Sequence, residues 1–376
     1  MRGSCPGRRI LFLVSSMHGG GAERVAALLC NAWAEEGHEV MLMPTFSGRG
    51  ECIYELDPGV QLRFLSDLTG TTSKTFWISF RRLLVLRQTI KRYAPDVIVS
   101  FLTNVNVAAI VAATGTGVPV IVSERIYPPL WPLPWFRSVM RRLTYPRATC
   151  LVAQTEMAKE WLEEHCQGSR VKVIPNPVMW PLPINKPVVE PQNWVPPGRK
   201  LLLAAGRLHR QKGFDLLLVV FSDLVKDFPD WDLVILGEGH ERGALEAKRA
   251  ALGLERHVFM PGLVGNASSW YELADLYVMT SRYEGFPNTL LEAMAHGVPA
   301  VSFDCDTGPR DLIRHEVNGV LVPLEDGVEG LATATAYLMR NEALRCRMGE
   351  AACEVREKFS MGTVKDCWAE VLKLGS

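Results

Sequence analysis

The 376-residue chain balances 41 Lys+Arg against 41 Asp+Glu, which excludes a dedicated nucleic-acid binder, since such domains carry a basic excess. With 48% hydrophobic and 22% charged residues it lies far from the disordered class, and no run of about 18 apolar residues offers a bilayer-spanning helix. The zero net charge is a sum of unlike halves: residues 1–180 hold 20 basic and 14 acidic side chains, residues 181–376 hold 21 and 27.

Short apolar runs alternate with longer segments of helical period, the pattern of β-α-β units around a parallel sheet. In chain order the predicted strands of the first half are Arg9–Val14, Glu39–Pro44, Val97–Ser100, Pro119–Ser123 and Cys150–Ala153. The basic N-terminus before Ile10–Ser16 enters a glycine loop without a small-residue cleavage pattern, so it reads as a first strand rather than a leader. The pattern then restarts. Lys200–Ala204, Asp232–Leu236, Val258–Met260, Leu276–Met279 and Ala300–Ser302 read as strands, with helices at Asp215–Lys226, Gly243–Leu252 and Thr289–Ala295. The expected fold class is therefore α/β, with a doubly wound, Rossmann-like domain occurring twice.

Between the two patterns, Pro175 to Pro197 holds 8 of the 24 prolines. Proline removes a backbone donor and fixes φ, so this stretch is predicted to be an interdomain linker. The expected boundaries are a first domain over 1–180, a linker over 181–198, a second domain over 199–358, and a C-terminal helix over 359–376 that returns to the first domain. Nine cysteines without C-x-x-C spacing read as reduced, cytosolic thiols.

Ligands of open α/β sheets bind in loops that follow the strands. The first such loop, Met17 to Val25, contains Gly19, Gly20 and Gly21 and opens a helix whose N-terminus suits an anion. It fails as a dinucleotide fingerprint, because Arg24 stands where G-x-G-x-x-G needs its third glycine. A tight strand–helix turn is the alternative reading. The second loop, Gly206-Arg207-Leu208-His209-Arg210-Gln211-Lys212-Gly213, places two cations, Arg207 and Lys212, around turn residues where they suit a diphosphate. A solvated basic turn is the alternative there.

The segment from Ser281 to Pro299 carries the densest signal. Asn288 or its neighbour is expected to cap a helix that stops at Gly297. Glu292, between Leu291 and Met294 in an otherwise apolar helix, is costly to bury unless ligand hydroxyls satisfy it. Glu284, in the loop before that helix, is positioned to meet the same ligand. Asp304-Cys305-Asp306 resembles a metal-binding D-x-D but has too few oxygen ligands for a hard cation, so no metal site is expected. His18, His209 and His296 read as structural donors.

These residues resemble glycosyltransferase family four, retaining nucleotide-sugar transferases of GT-B fold. The resemblance rests on GGGAERV at 19–25, VIPNPV at 173–178, GRLHRQKGFDLLL at 206–218, ILGEGHERGAL at 235–245 and SRYEGFPNTLLEAMAHGVPAV at 281–301, which contains an E-x7-E pair, Glu284 and Glu292. It implies two Rossmann-like domains facing across a cleft and a transferase that moves a hexose or N-acetylhexosamine from a UDP-sugar. It implies that Glu284, Arg207 and Lys212 are catalytic, and that Gly206, Gly285, Phe286, Pro287, Asn288, Thr289, Leu290 and Glu292 bind the donor. Gly19, Gly20 and Gly21 close over it from the first domain, and Asn176 joins them from VIPNPV. Neither a cofactor nor a metal is implied. A sugar-nucleotide epimerase of the same fold is the alternative.

In one place the sequence departs from the family pattern. Many relatives carry a histidine after the fourth strand of the first domain, whereas this chain reads Ser123-Glu124-Arg125, which makes Glu124 and Arg125 acceptor-side candidates. The branch most resembled builds bacterial polysaccharides and lipid-linked oligosaccharides, so a polyprenyl-diphosphate or polysaccharide acceptor is expected. Ser73 to Arg92 holds six basic residues and no acidic one, with Phe76, Trp77, Phe80, Leu83 and Leu84 at helical spacings. Residues 125–147 add five arginines among Tyr127, Trp131, Trp135, Phe136 and Tyr145. Both stretches suit a helix lying in an anionic membrane interface, at the cytoplasmic face of the cell membrane, and a core-packed helix with a solvated basic face is the alternative.

Overall fold

A computed structural model describes residues 7–18, 20–46, 52–70, 76–130 and 133–374. The chain forms two compact units, one running to Asn176 and taking in the residues from Gly362 onward, the other spanning Pro177–Met361.

The first unit holds β1 (Arg9–Val14), β2 (Glu39–Pro44), β3 (Val60–Leu62), β4 (Val97–Phe101), β5 (Val120–Ser123), β6 (Cys150–Ala153) and β7 (Val171–Val173). They form one sheet in the order β3-β2-β1-β4-β5-β6-β7, with every pairing parallel. Helices cover both faces, and this is why β4, β5 and β6 are buried at every position and β1 at all but its first, rather than alternating. On one face Leu11, Leu13, Ile98 and Val122 pack with Ile110 and Tyr145. On the other, Phe12, Trp33 and Phe101 meet Trp368 from the helix Met361–Lys373, with Trp368 centroids 6.0 Å from both Trp33 and Phe101. Arg8 adds a tie by donating to the Leu372 carbonyl at 2.7 Å.

In the second unit lie β8 (Lys200–Ala205), β9 (Trp231–Leu236), β10 (Val258–Gly262), β11 (Leu276–Met279), β12 (Ala300–Phe303) and β13 (Gly319–Val322), in the order β10-β9-β8-β11-β12-β13 and again all parallel. Each sheet reverses its winding once, between β1 and β4 in the first and between β8 and β11 in the second. Open α/β sheets bind ligands at such switch points. The ten strands anticipated from apolar runs are present. Those not anticipated, β3, β7 and β13, are edge strands of three or four residues, and VQL and VKV each carry an exposed polar centre.

The proline-rich stretch differs from the expected free linker. Val178 and Val195 are buried in the second unit, the Val178 N–H donates to the Phe359 carbonyl at 2.8 Å, and Asn266 and Trp270 both bond Val189. Its prolines keep it out of the sheet, while Val178, Val195 and the Val189 backbone hold it along the second unit.

Candidate active site

Two loops and one helix meet at the switch point of the second sheet. The turn after β8 runs through Gly206 and Arg207 to a 3₁₀ turn, Arg210–Lys212, capped by His209, whose Nδ1 accepts from the Gln211 N–H at 3.1 Å. Gly213 then starts the helix Phe214–Asp227 with φ of 65°, and a Cβ there would sit 2.1 Å from the Thr280 carbonyl oxygen. Gly213→Ala is therefore expected to lose about 2–4 kcal/mol, combining a left-handed residue with a backbone clash, read as a lower unfolding temperature.

The loop after β11 is stitched to this turn. Thr280 Oγ1 donates to the Lys212 carbonyl at 2.8 Å, Gln211 Nε2 to the Tyr283 carbonyl at 2.8 Å, and the Arg282 N–H to the Gln211 carbonyl at 2.8 Å. Arg282 also forms a two-pronged pair with Asp215 at 2.9 and 2.8 Å, and this arginine holds the Asp215 carboxyl below its usual range. Within that frame Lys212 Nζ lies 2.5 Å from Glu284 Oε1, to which Ser281 Oγ also donates at 2.6 Å. Glu284 is 5% exposed. Arg207 is exposed and has no hydrogen-bond or ion-pair partner among the described residues.

The helix Asn288–Ala295 begins without a side-chain cap. Its cap position is Pro287, and Asn288 is the first helical residue, so the expected asparagine cap is replaced by a bare N-terminal turn aimed from the β11 loop. Thr289 Oγ1 donates to the Ala205 carbonyl at 3.1 Å and accepts from the Tyr277 hydroxyl at 2.9 Å, which fixes the helix start against the end of β8. One turn on, Glu292 is buried and its Oε2 accepts from the Tyr271 hydroxyl at 3.1 Å. Leu290 is wholly buried, and the Phe286 ring packs 5.8 Å from Phe359, so these two act through the core and present at most backbone to a ligand. Gly285 and Pro287 complete the loop, with Pro287 close against Gly308. His296 is held between Ser268 and the Glu292 carbonyl, and Asp304 bonds Arg310 at 2.9 Å. Among the described residues no group of three His, Cys, Asp or Glu is placed to hold a metal.

In the first unit, Gly19 lies outside the described residues. The Tyr54 hydroxyl bonds both the N–H and the carbonyl of Gly20 at 2.9 Å, and Gly21 is the first residue of the helix Gly21–Glu35. Glu124 and Arg125, adjacent in sequence, separate in space. Arg125 is buried with its guanidinium 4.2 Å from the Phe101 ring and hydrogen-bonded to Asn176, and burial draws its pKa down to about 9. Asn176 is also held by Gln154 at 2.8 Å. Arg125 is thus tied to the sheet end through Phe101 and Asn176.

Glu124 instead lines a cavity of about 180 Å³ together with Leu102, Thr103, Asn104, Ile126, Pro128, Leu133 and Arg141. Thr103 Oγ1 lies 3.0 and 2.9 Å from its two oxygens, and the Tyr145 hydroxyl donates to Oε1. Burial pushes the Glu124 carboxyl above the usual range, against the opposing pull of Tyr145, Arg141 and Thr103. A raised folded-state pKa means the native state binds the extra proton, so this group's contribution to stability is present at low pH and lost as pH rises through the folded value. Glu124→Gln, which keeps an acceptor for Thr103 and Tyr145, is expected to unfold at a higher temperature than the wild type near neutral pH, with the gain vanishing below about pH 4. Sequence reasoning missed Arg141, because it fell within a basic-aromatic run read as membrane-facing. Tyr145, from the same run, is wholly buried.

Comparison with known proteins bears on both units. Residues 19–179 match the family described as Glycosyltransferase Family 4, and residues 186–355 match that described as Glycosyl transferases group 1. A Campylobacter jejuni α-1,4-N-acetyl-D-galactosaminyltransferase, named as acting on a GalNAc-containing glycan on undecaprenol diphosphate, is 28% identical over 372 residues, covering 97% of this chain and 98% of its own. Sucrose-phosphate synthase from Thermosynechococcus elongatus superposes with a TM-score of 0.81 at 19% identity, over 97% of this chain and 98% of that one. Anabaena HepE in complex with UDP gives a TM-score of 0.78 at 19% identity, over 97% and 99%. Nothing among these speaks for the epimerase alternative. With both family patterns matched in order and a GT-B structure shared along nearly its whole length, this chain belongs to the GT-B glycosyltransferases that combine a family 4 and a group 1 domain.

Proposed function

We propose that the enzyme transfers a hexose or N-acetylhexosamine from a UDP-sugar, with retention of configuration, to a lipid-linked or polysaccharide acceptor. The observation that carries this reading is the Lys212–Glu284 pair in the loops after β8 and β11, followed by a helix that holds the buried Glu292. In it, Arg207 and Lys212 neutralise the donor diphosphate, helped by the N-terminal turn at Asn288–Leu290, and Glu292 accepts from the ribose hydroxyls. Glu284, with Gly285, addresses the donor sugar.

Glycosyl transfer passes through an oxocarbenium-like state while negative charge gathers on the leaving diphosphate. Fixed cations and a helix dipole aimed at that charge stabilise it without reorganisation, so charge neutralisation is assigned here to side chains rather than to a metal. The bond from the anomeric carbon to the β-phosphate oxygen breaks, the acceptor oxygen bonds to that carbon on the same face, and its proton passes to the departing phosphate. The UDP complex of HepE and the undecaprenol-linked substrate of the Campylobacter enzyme support the donor and acceptor classes. Incubation with a panel of UDP-hexoses and UDP-N-acetylhexosamines tests the reading: one of them is expected to release UDP and label a glycan acceptor, and release of UDP from none of them overturns it.

The same reading places the first unit on the cytoplasmic face of an anionic membrane. Among the described residues no helix is long and apolar enough to cross one. The helices Phe76–Tyr93 and Trp135–Thr144 both pack on the helix Thr103–Ala113, and both leave apolar side chains outward: Trp77 and Leu84 on one, Trp135, Phe136, Val139 and Leu143 on the other. Trp77 and Trp135 are each 78% exposed. Arg82 is buried and Arg87 donates to the carbonyls of Ala112 and Thr114, so these two hold the fold, and Arg81, Arg92, Arg137 and Arg142 are the arginines of the two helices left for lipid phosphates. Trp135→Ala with Phe136→Ala is expected to reduce sedimentation with anionic liposomes at low salt at least about 10-fold, from the lost interfacial burial. Unchanged sedimentation contradicts the membrane assignment.

A further inference from the structure

The 3₁₀ turn that carries Lys212 is capped by a histidine. His209 takes extended backbone angles, φ −139° and ψ 146°; its ring Nδ1 accepts from the Gln211 N–H at 3.1 Å, and its carbonyl accepts from the Lys212 N–H at 2.9 Å. Asn and Asp commonly make this reach to the backbone two residues on, through a side-chain oxygen. Here a ring nitrogen makes it. An Nδ1 that accepts carries no hydrogen, so the neutral ring holds its hydrogen on Nε2, and the residue expected to be a structural donor serves the turn as an acceptor.

The peptide held in this way joins the two loops of the site. The Gln211 carbonyl accepts from the Arg282 N–H and the Gln211 Nε2 donates to the Tyr283 carbonyl, both at 2.8 Å, and the next residue, Lys212, pairs with Glu284. The start of the turn is pinned on its other side. The Leu208 N–H donates to the Glu238 carbonyl at 2.9 Å, the Glu241 N–H donates to the Leu208 carbonyl at 3.1 Å, and a Cβ on Gly239 would sit 2.2 Å from that carbonyl oxygen. A change at the cap therefore falls on Gln211 and Lys212. The charged and titratable groups around the turn are Arg207, Arg210 and Lys212 on its own loop, Arg282 and Glu284 on the loop after β11, and Glu238, His240 and Glu241 on the loop after β9. The His240 ring stands edge-on to His209, with centroids 4.9 Å apart and planes at 85°, and its Nε2 lies 3.5 Å from Glu241 Oε1. Glu238 is taken up by Arg242 at 2.6 Å.

We infer that His209 is a positioning residue for Lys212 whose cap is released when the ring takes up a proton, so that donor binding weakens toward acid pH. A protonated ring bears hydrogen on both nitrogens, and Nδ1–H then faces the Gln211 N–H where an acceptor stood. Gln211 turns from the ring, and the Lys212 ammonium loses the fixed place from which it meets a diphosphate. Histidine changes its charge near neutrality, which a capping Asn does not. Simple attraction has the opposite sign: an imidazolium beside Arg207 and Lys212 draws a diphosphate more strongly as pH falls, so the direction of the pH dependence separates the cap from the charge. The inference rests on the donor-site reading of Lys212 and adds to it a control by pH.

The test compares the full chain with its His209→Asn and His209→Ala variants. UDP affinity is measured by calorimetry at about pH 7.5 and about pH 5.5, a span that includes the range in which histidine titrates, and the Gln211 backbone amide is followed by NMR without nucleotide. At the higher pH, His209→Asn is expected to bind UDP within about twofold of the wild type, and His209→Ala about 3–10-fold more weakly, the size of one lost cap. On acidification the wild type is expected to lose at least about 3-fold more affinity than His209→Asn, and titration of the UDP phosphate itself, common to both, cancels in that ratio. The Gln211 amide is expected to shift with pH in the wild type and to stay in place in His209→Asn. Equal pH dependence in the two proteins, a wild type that gains affinity relative to His209→Asn on acidification, or a wild-type Gln211 amide indifferent to pH overturns the inference. A wild type that binds no UDP while its Gln211 amide still follows pH removes the donor reading and leaves the cap standing.

Discussion

Lys212→Ala is expected to lower the transfer rate by about 10²–10³-fold, the range seen when one preorganised group facing developing charge is removed. The loss falls on kcat, because the lysine acts on charge that grows as the diphosphate departs. The same change leaves Glu284 buried beside Ser281 with no cation against it, since Lys212 lies 2.5 Å from its Oε1. Breaking a buried pair by removing one member costs about 3 kcal/mol at the low end of the known range, and Lys212 is partly exposed, so the low end applies. Reduced kcat together with a lower unfolding temperature is the expected result. The double variant Lys212→Ala with Glu284→Gln separates the two effects: it is expected to regain stability and to stay inactive. Near-normal turnover in the single variant contradicts the role given to Lys212.

Glu292→Ala is expected to cut transfer at least about 100-fold, through donor affinity, because a carboxylate meeting two ribose hydroxyls contributes roughly 1.5–3 kcal/mol for each hydrogen bond. The helix Asn288–Ala295 survives the change, since alanine is the best helix former and the surrounding residues Leu290, Leu291 and Met294 are packed in the core. Tyr271 loses an acceptor, a modest cost beside the removal of a buried charge. The expected signature is therefore a raised KM for the donor with an unfolding temperature close to that of the wild type. An unchanged KM for the donor in a folded Glu292→Ala protein contradicts the donor-site assignment.

The strands at the centre of each sheet were legible because both of their faces are covered, so β1 and β8, after one charged residue, and β11 are written as apolar runs. The edge strands β3 and β7 were not, since three residues with an exposed Gln61 or Lys172 carry no period to detect. The loops holding Lys212, Glu284 and Glu292 stood out through glycine spacing and through a carboxylate set in an apolar helix, both local signals. The acceptor-side residues were harder to read. Glu124 and Arg125 are neighbours in sequence but serve a cavity and a sheet end, and the cavity's arginine comes from Arg141, 17 positions on in a different helix. Only the tertiary fold decides which guanidinium lines the cavity beside Glu124. For a related reason the contacts of the proline-rich stretch were not legible: prolines tell which hydrogen bonds a segment cannot make, not that Asn266 and Trp270 hold its Val189 in place.

Calorimetric titration of the wild type and Glu292→Ala with UDP tests the donor site most directly. The wild type is expected to bind one equivalent of UDP, and the variant to bind it at least about 100-fold more weakly while remaining folded. A wild type that does not bind UDP, or a folded variant that binds it equally well, contradicts the placement of the donor nucleotide at the switch point of the second sheet.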